Sequence, residues 1–227
     1  IGLAGDLALA FAAGVGAGLT MVLVLLIAHR VRSSMTLLIL GLMFGYLTSA
    51  LVSLLLYFSI PEQIRNYINW TFGTFGGTTW EQLKIFAPLV IISLIGAFVL
   101  SKTLNALLLG EQYAHSMGLN IQKARIAIVT LTAILAGSVT AFCGPIGFIG
   151  IAVPHLCRSL LNSSDHRLLV PACMLMGGIV ALFAALIAEM PGFDVVLPLN
   201  AVTSLLGAPV VIIVILRQRN MSKTFAS

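Results

Sequence analysis

The stretch GPIGFIGIAVPHLCRSLLN, Gly144 to Asn162, decides the topology of this chain. It is apolar enough for lipid, yet it carries Pro145, Pro154, three glycines, and His155 and Arg158 toward its far end. Helix breakers are tolerated at membrane depth where neighbouring helices or water re-satisfy the backbone. Whether the stretch crosses or turns back therefore depends on what surrounds it.

Its surroundings are apolar too. Hydrophobic residues make up 59% of the chain and charged ones 8%, with a mean hydropathy of +1.10. Soluble domains carry about 25% charged residues, so this chain has too few charges to cover a water-facing surface. Uncharged apolar runs occupy about residues 7–28, 35–58, 83–101, 126–143, 168–188 and 199–216, close to the roughly 20 residues that cross a bilayer. A buried core helix of a soluble fold could explain one such run, not all of them. With about 147–161 as a short seventh, the reading is an all-α, polytopic helical membrane protein with seven predicted spans, one transmembrane domain over 1–227.

Charge supports the seventh crossing. If the spans alternate, one set of loops holds Arg30, Arg32, Lys102, Lys123, Arg125, Arg158, Arg167, Arg217, Arg219 and Lys223, and the other only Arg65 and Lys84. Lys and Arg near span ends prefer the cytoplasmic side, which places the carboxy terminus in the cytoplasm. Without a crossing at 147–161 the last two spans would flip. The net charge of +5 is spread over short loops and a tail, not clustered as a nucleic-acid surface requires. The chain begins at Ile1 with no initiator methionine or basic leader, so no signal peptide is read and a preceding amino-terminal part is expected.

Several chemistries are disfavoured. No Asp, Glu, Lys or Arg lies deep inside a run, whereas ion-coupled transporters and pumps usually hold ionisable groups there. No GxxxxGK[ST] phosphate loop occurs, and GVGAG (Gly14–Gly18) follows no strand. That segment and GLMFG (Gly41–Gly45) read instead as GxxxG spacings for close helix packing. His29, His115, His155 and His166 have no GxSxG, HExxH or paired-carboxylate context. Cys143, Cys157 and Cys173 lie in or beside apolar runs without ligand spacing, so they read as packing residues. No catalytic or metal site is expected.

Two loops exceed simple connectors. In SIPEQIRNYINWTFGTFGGTTW (Ser59–Trp80), Ser59 and Glu62 have capping-box spacing, and Pro61 suits a first helical turn. Ile60, Ile64, Tyr67 and Ile68 recur at helical spacing, which predicts a short amphipathic helix on the membrane surface, with Trp70 and Trp80 at interfacial depth. It is either a lipid-anchored lid or a docking platform for an external protein, with Glu62 and Arg65 as charged handles. In LLLGEQYAHSMGLNIQKAR (Leu107–Arg125), Gly110 is expected to break the preceding span and EQYAHSM to form a two-turn helix. Gly118 would stop it in left-handed conformation and Asn120 would cap the next helix. Tyr113 and Met117 would share one apolar face, fit either for lipid headgroups or for a groove on a partner.

The segments LNALLLGEQYAHSMGLN, GPIGFIGIAVPHLCR, DHRLLVPA and LPLNAVTSLLGAP, in this order, resemble the permease subunits of type II ABC importers, the FecCD/BtuC-like family for iron-siderophores, haem and cobalamin. The resemblance covers nearly the whole chain. It implies a ten-span permease of which this chain is spans four to ten. It also implies a second permease copy, identical or a close paralogue, two cytoplasmic ATPase subunits that hold the ATP and Mg, and an extracytoplasmic binding protein. The setting would be the bacterial inner membrane, and the chain itself would hold no cofactor. By resemblance, Gly110, Glu111, Ala114 and Gly118 contact the ATPase. Span 35–58, with Gly41 and Gly45, and the last span, with Gly207 and Pro209, flank the pathway. Gly144, Pro145, Gly147, Pro154, His155 and Arg158 belong to the family's signature stretch.

The chain departs from the family pattern at one point. Where the family often has an Asp and, four residues on, an Arg that docks the binding protein, Ala185 and Glu189 stand here. Docking is then expected to involve Glu62, Arg65 and Glu189. An ion-coupled secondary transporter, for which broken helices are also typical, is the first rival reading. An intramembrane enzyme using His155 or His166 is the second. In the signature stretch, Gly144, Pro145 and Gly147 should form a turn. Phe148 to Leu160 should form a short helix perturbed at Pro154, with a structural hydrogen bond to His155.

Overall fold

The computed structural model describes residues 34–190 and 196–224, with 12, 15–20, 22, 23, 26 and 27 before them. Half of the run at 7–28, with Gly14, lies outside the described residues, as do His29, Arg30 and Arg32 and the side chains of Arg217, Arg219 and Lys223. The described chain is helical without a strand: α1 (Ser34–Tyr57), α2 (Pro61–Phe72), α3 (Trp80–Val99), α4 (Ser101–Leu108), α5 (Glu111–Ser116), α6 (Ile121–Cys143), α7 (Ile149–Leu161), α8 (His166–Ala188) and α9 (Leu199–Thr224). Four segments are long and apolar enough to cross a membrane: Ile39–Tyr57, α3, α6 and α8. Ile149–Leu161 and Leu199–Ile212 are shorter apolar helices.

The packing is that of helices in lipid. Buried positions are mostly small, among them Ala124, Ala141, Ala152, Ala184, Ala188 and Ser93, while large residues such as Leu55, Phe58, Leu175 and Leu205 face outward. Lipid tails are as apolar as leucine, so helix association there relies on close backbone approach rather than on burying large side chains. Gly96 supplies one such approach: a Cβ there would sit 2.8 Å from Leu131 Cδ1, and one on Gly137 3.0 Å from Ala17 Cβ. α3 packs along α6, and α7, α8 and α9 pack mutually. Ala184, Ala188, Leu199 and Val202 form one α8–α9 cluster, and Val153, Cys157 and Leu169 an α7–α8 cluster.

α1 stands apart. No residue of Ile39–Tyr57 is buried, and a methyl group on Gly41 or Gly45 would meet nothing within 4 Å. The close packing expected of that GxxxG is therefore not made among the described residues, where α1 has no extensive contact with another helix.

Local starts and stops differ from expectation in three places. The Ser59–Glu62 capping box does not form: Ser59 Oγ donates back to Leu55 O in the last turn of α1 (2.7 Å), and Ile60 precedes α2 without a side-chain cap. Pro61 does open α2. A capping box forms instead at α3, where Gln82 N–H donates to Thr79 Oγ1 (3.3 Å) and Thr79 N–H to Gln82 Oε1 (3.0 Å). The span after it breaks at Leu100, ahead of Gly110: Leu100 closes α3 and α4 starts at Ser101.

Candidate functional site

The α5 elbow is built on two glycines. Gly110 precedes α5 at φ +100° and Gly118 follows it at φ +86°, a region costly for residues with a Cβ. Gly118 N–H donates to His115 O (2.9 Å) and Leu119 N–H to Ala114 O (3.1 Å). These two bonds make a Schellman closure. Asn120 then caps α6 by accepting from Lys123 N–H at 3.0 Å, so the expected stop and cap both form. Ala114 is fully buried at 0% exposure and fixes one side of α5. Tyr113 and Met117 are 56% and 63% exposed. They form an apolar pair with no partner inside the described chain. Glu111 Oε1 and Arg125 Nη2, 2.7 Å apart, tie α5 to α6. Both side chains are well exposed, so the pair contributes about 0–1 kcal/mol.

A second construction lies behind α5. Asn105 in α4 donates from Nδ2 to Asp165 Oδ1 (2.5 Å), and its Oδ1 accepts from His166 N–H (2.8 Å) and lies 2.9 Å from His166 Nδ1. Asp165 caps α8 by accepting from Arg167 N–H at 2.9 Å. These bonds hold the Asp165 carboxyl below the usual carboxylate range, Arg167 N–H first and the Asn105 amide second.

At the other end of the bundle the signature stretch turns as expected, on a scaffold from three chain segments. Gly144 has φ +81°, and a Cβ there would run into Trp70 O and lie 3.0 Å from Gly73 Cα. Thr74 N–H donates to Cys143 O (2.9 Å), and Gly147 N–H to Asn200 Oδ1 (3.2 Å). Phe148, the residue before α7, sits at φ +65°, ψ −37°, an unusual place for a side-chain-bearing residue. α7 then runs through Pro154 to Asn162, which closes it in left-handed conformation. Pro154 offers no N–H to the carbonyl one turn back. The hydrogen bond expected of His155 is not made among the described residues, where its Nδ1 is enclosed without a partner. Arg158 lies in the last turn and is exposed.

The amphipathic face of α2 is rotated from expectation. Ile64, Tyr67, Trp70 and Thr71 are half-buried, whereas Ile60 and Ile68 are exposed. Trp70 turns inward, with its Nε1 enclosed and without a partner among the described residues, and carries the buried arc with it. Trp70 is thus half-buried, while Trp80 is 83% exposed. Glu62 and Arg65 are exposed. Glu189 is exposed at the end of α8, and a Cβ on Gly76 would lie 3.3 Å from its Oε1. Between α7, α8 and α9 lies an apolar cleft of about 310 Å³, lined among others by Ile149, Leu156, Phe183, Thr203, Leu206 and Gly207. Pro209 is inside α9 two residues farther on. Sequence reasoning missed the Asn105–Asp165–His166 group. Asp165 immediately before an apolar run was its one visible signal.

Small-residue packing, an apolar exterior and four helical segments long and apolar enough to cross a membrane define a polytopic helical membrane protein. Residues 1–217 match the FecCD transport family, and the chain belongs to it. It is 39% identical over 212 residues to the vitamin B12 import system permease protein BtuC of Klebsiella pneumoniae subsp. pneumoniae, covering 93% of this chain and 63% of that one. To BtuC of Citrobacter koseri it is 37% identical over 212 residues, covering 93% and 64%. A solved inward-facing conformation of a metal-chelate type ABC transporter superposes with a TM-score of 0.81 at 30% identity, covering 94% of this chain and 71% of that one. The chain thus spans under two thirds of the length of these curated relatives. The family is one of transport, and these relatives are named permeases, as expected for a transport chain rather than an enzyme.

Proposed function

We propose that the protein containing this chain is the membrane-spanning subunit of an ATP-driven importer in the bacterial inner membrane. It would move a cobalamin-type ligand, or an iron-siderophore or haem, by alternating access. The observation that carries this reading is the 39% identity to a vitamin B12 import permease across 93% of the chain. On this reading the chain is a single permease domain, pairs with a second copy or close paralogue, and has its carboxy terminus in the cytoplasm. Two ATPase subunits hold ATP and Mg. A binding protein delivers cargo at the opposite face.

The α5 elbow fits the ATPase contact. Gly110 and Gly118 set its backbone, Ala114 seats it, Glu111 ties it to α6, and Tyr113 and Met117 present an apolar face to a groove. At the far end, Glu62, Arg65 and Glu189 are exposed around the α2 loop and serve as the binding protein's contacts. Gly41 and Gly45 on α1 and Gly207 and Pro209 on α9 flank the pathway. The cleft between α7, α8 and α9 is lined almost wholly by apolar groups, in keeping with span interiors that offer a passing ligand few polar contacts.

The test is reconstitution of the full-length permease with its ATPase and binding protein in liposomes. Uptake of labelled cyanocobalamin is compared with that of haem and a ferric siderophore. ATP-dependent uptake of cyanocobalamin is expected. Uptake that survives ATP depletion but collapses with an ion gradient would make the protein a secondary transporter.

A further inference from the structure

We propose that Asn105 is a positioning residue that, through Asp165 and His166, makes α8 follow the movement of α5. The inference rests on the transport reading above. The first amides of a helix lack intrahelical acceptors, and α8 takes part of its substitute from a distant segment. Asn105 Oδ1 accepts the His166 backbone N–H at 2.8 Å, so that atom is the oxygen of the amide. His166 Nδ1, 2.9 Å from the same oxygen, therefore carries a proton and donates. Asn105 Nδ2 donates to Asp165 Oδ1, which also accepts from Arg167 N–H. Asp165 N–H in turn donates to Ser163 Oγ at 3.2 Å. One amide side chain thus holds the backbone of one residue, its imidazole and the neighbouring cap.

The placement gives this clasp its consequence. α4, which carries Asn105, leads through Leu109 and Gly110 into α5 and packs against both α5 and α8. α8 packs against α7 and α9, and the three line the apolar cleft. A push on α5 can reach the cleft along α6 and around the turn at Gly144–Gly147, or directly through Asn105. The direct route is the shorter: a single side chain joins α4 to the first residue of α8. A cap with no role in transmission would stabilise α8 but leave its response to α5 unchanged.

The test is amide hydrogen exchange on the full-length permease assembled with its ATPase, with and without a non-hydrolysable ATP analogue. In the wild type, nucleotide is expected to change exchange in α5 and in the first turn of α8 together. In Asn105→Ala the α5 change should remain and the α8 change should vanish, while basal exchange at Arg167–Leu169 rises about three- to tenfold. The double exchange Asn105→Asp with Asp165→Asn keeps an acceptor for the α8 amides and a donor between the two side chains, and should restore the α8 response. An unaltered α8 response in Asn105→Ala, or no α8 response in the wild type while α5 responds, overturns the proposal. Failure of α5 itself to respond counts against the transport reading instead.

Discussion

Gly207 and Phe148 are matched by what each lacks or bears: a Cβ on Gly207 would sit 2.6 Å from the Cβ of Phe148, whose backbone holds φ +65°. α9 thus presses against the start of α7 at the one point where α7 enters from an unusual conformation. Gly207→Ala is expected to lower stability by about 1–3 kcal/mol, the usual range for an overpacked site. Gly150→Ala, with nothing within 4 Å, serves as the control. Thermal unfolding in detergent reads both. Phe148→Gly combined with Gly207→Ala should be less damaging than the sum of the single changes, since one removes the atom the other strikes.

The two glycines around α5 have open space around them, so their substitution acts through the backbone alone. Gly110→Ala and Gly118→Ala are each expected to cost about 1–3 kcal/mol from the positive φ both positions hold. The loss should concentrate in α5, as faster exchange there than in α6. Equal loosening of both helices would contradict this account.

Tyr113 and Met117 should separate folding from assembly. Because both are exposed, Tyr113→Ala and Met117→Ala should shift stability by no more than about 0.5 kcal/mol. The double variant should nonetheless retain much less ATPase on co-purification. Undiminished ATPase recovery would remove this face from the coupling contact.

Asp165 gives a pH signature. Its folded-state pKa lies below the ordinary value because Arg167 N–H and the Asn105 amide bond to the ionised carboxylate. Its stabilisation is therefore complete above the unfolded carboxylate range and is lost as pH falls through the depressed folded value. The melting-temperature gap between wild type and Asp165→Asn should be constant near neutrality. It should close only on acidification below about pH 4, the unfolded range.

Docking by charge at the α2 end can be tested by reversal. Arg65→Glu and Glu189→Lys each change an exposed charge. They should weaken binding-protein affinity with a loss that grows as salt is lowered, leaving thermal stability of the permease unaltered. Surface plasmon resonance at two ionic strengths measures this.

What the sequence revealed and what it hid divide along chain distance. The turn at Gly144–Gly147 and the Gly118 stop were legible because glycine and proline act on their own backbone. Asn120 was legible because a cap reaches only three residues. Asn105 was not, because its partners lie 60 and 61 residues away and no local pattern links them. The Ser59 cap was misread for a related reason. Its hydroxyl had two acceptable partners, and continuation of α1 into the turn at Ser59 favoured the carbonyl of Leu55. The inward Trp70 and the Phe148 backbone were fixed by packing against other elements, α9 above all.

The isolation of α1 bears on how tolerance to mutation should be interpreted. Phe44, Val52 and Leu56 are its half-covered positions, while the residues between them face outward. Among the described residues, substitutions in α1 therefore meet no core to disturb. A deep mutational scan of Ile39–Tyr57 would map what packs on this helix from outside the described residues. Positions that admit any apolar residue would mark the face bathed by acyl chains. Those that reject a single added methyl, Gly41 and Gly45 first, would trace the footprint of the segment that lies against α1, from this polypeptide or another.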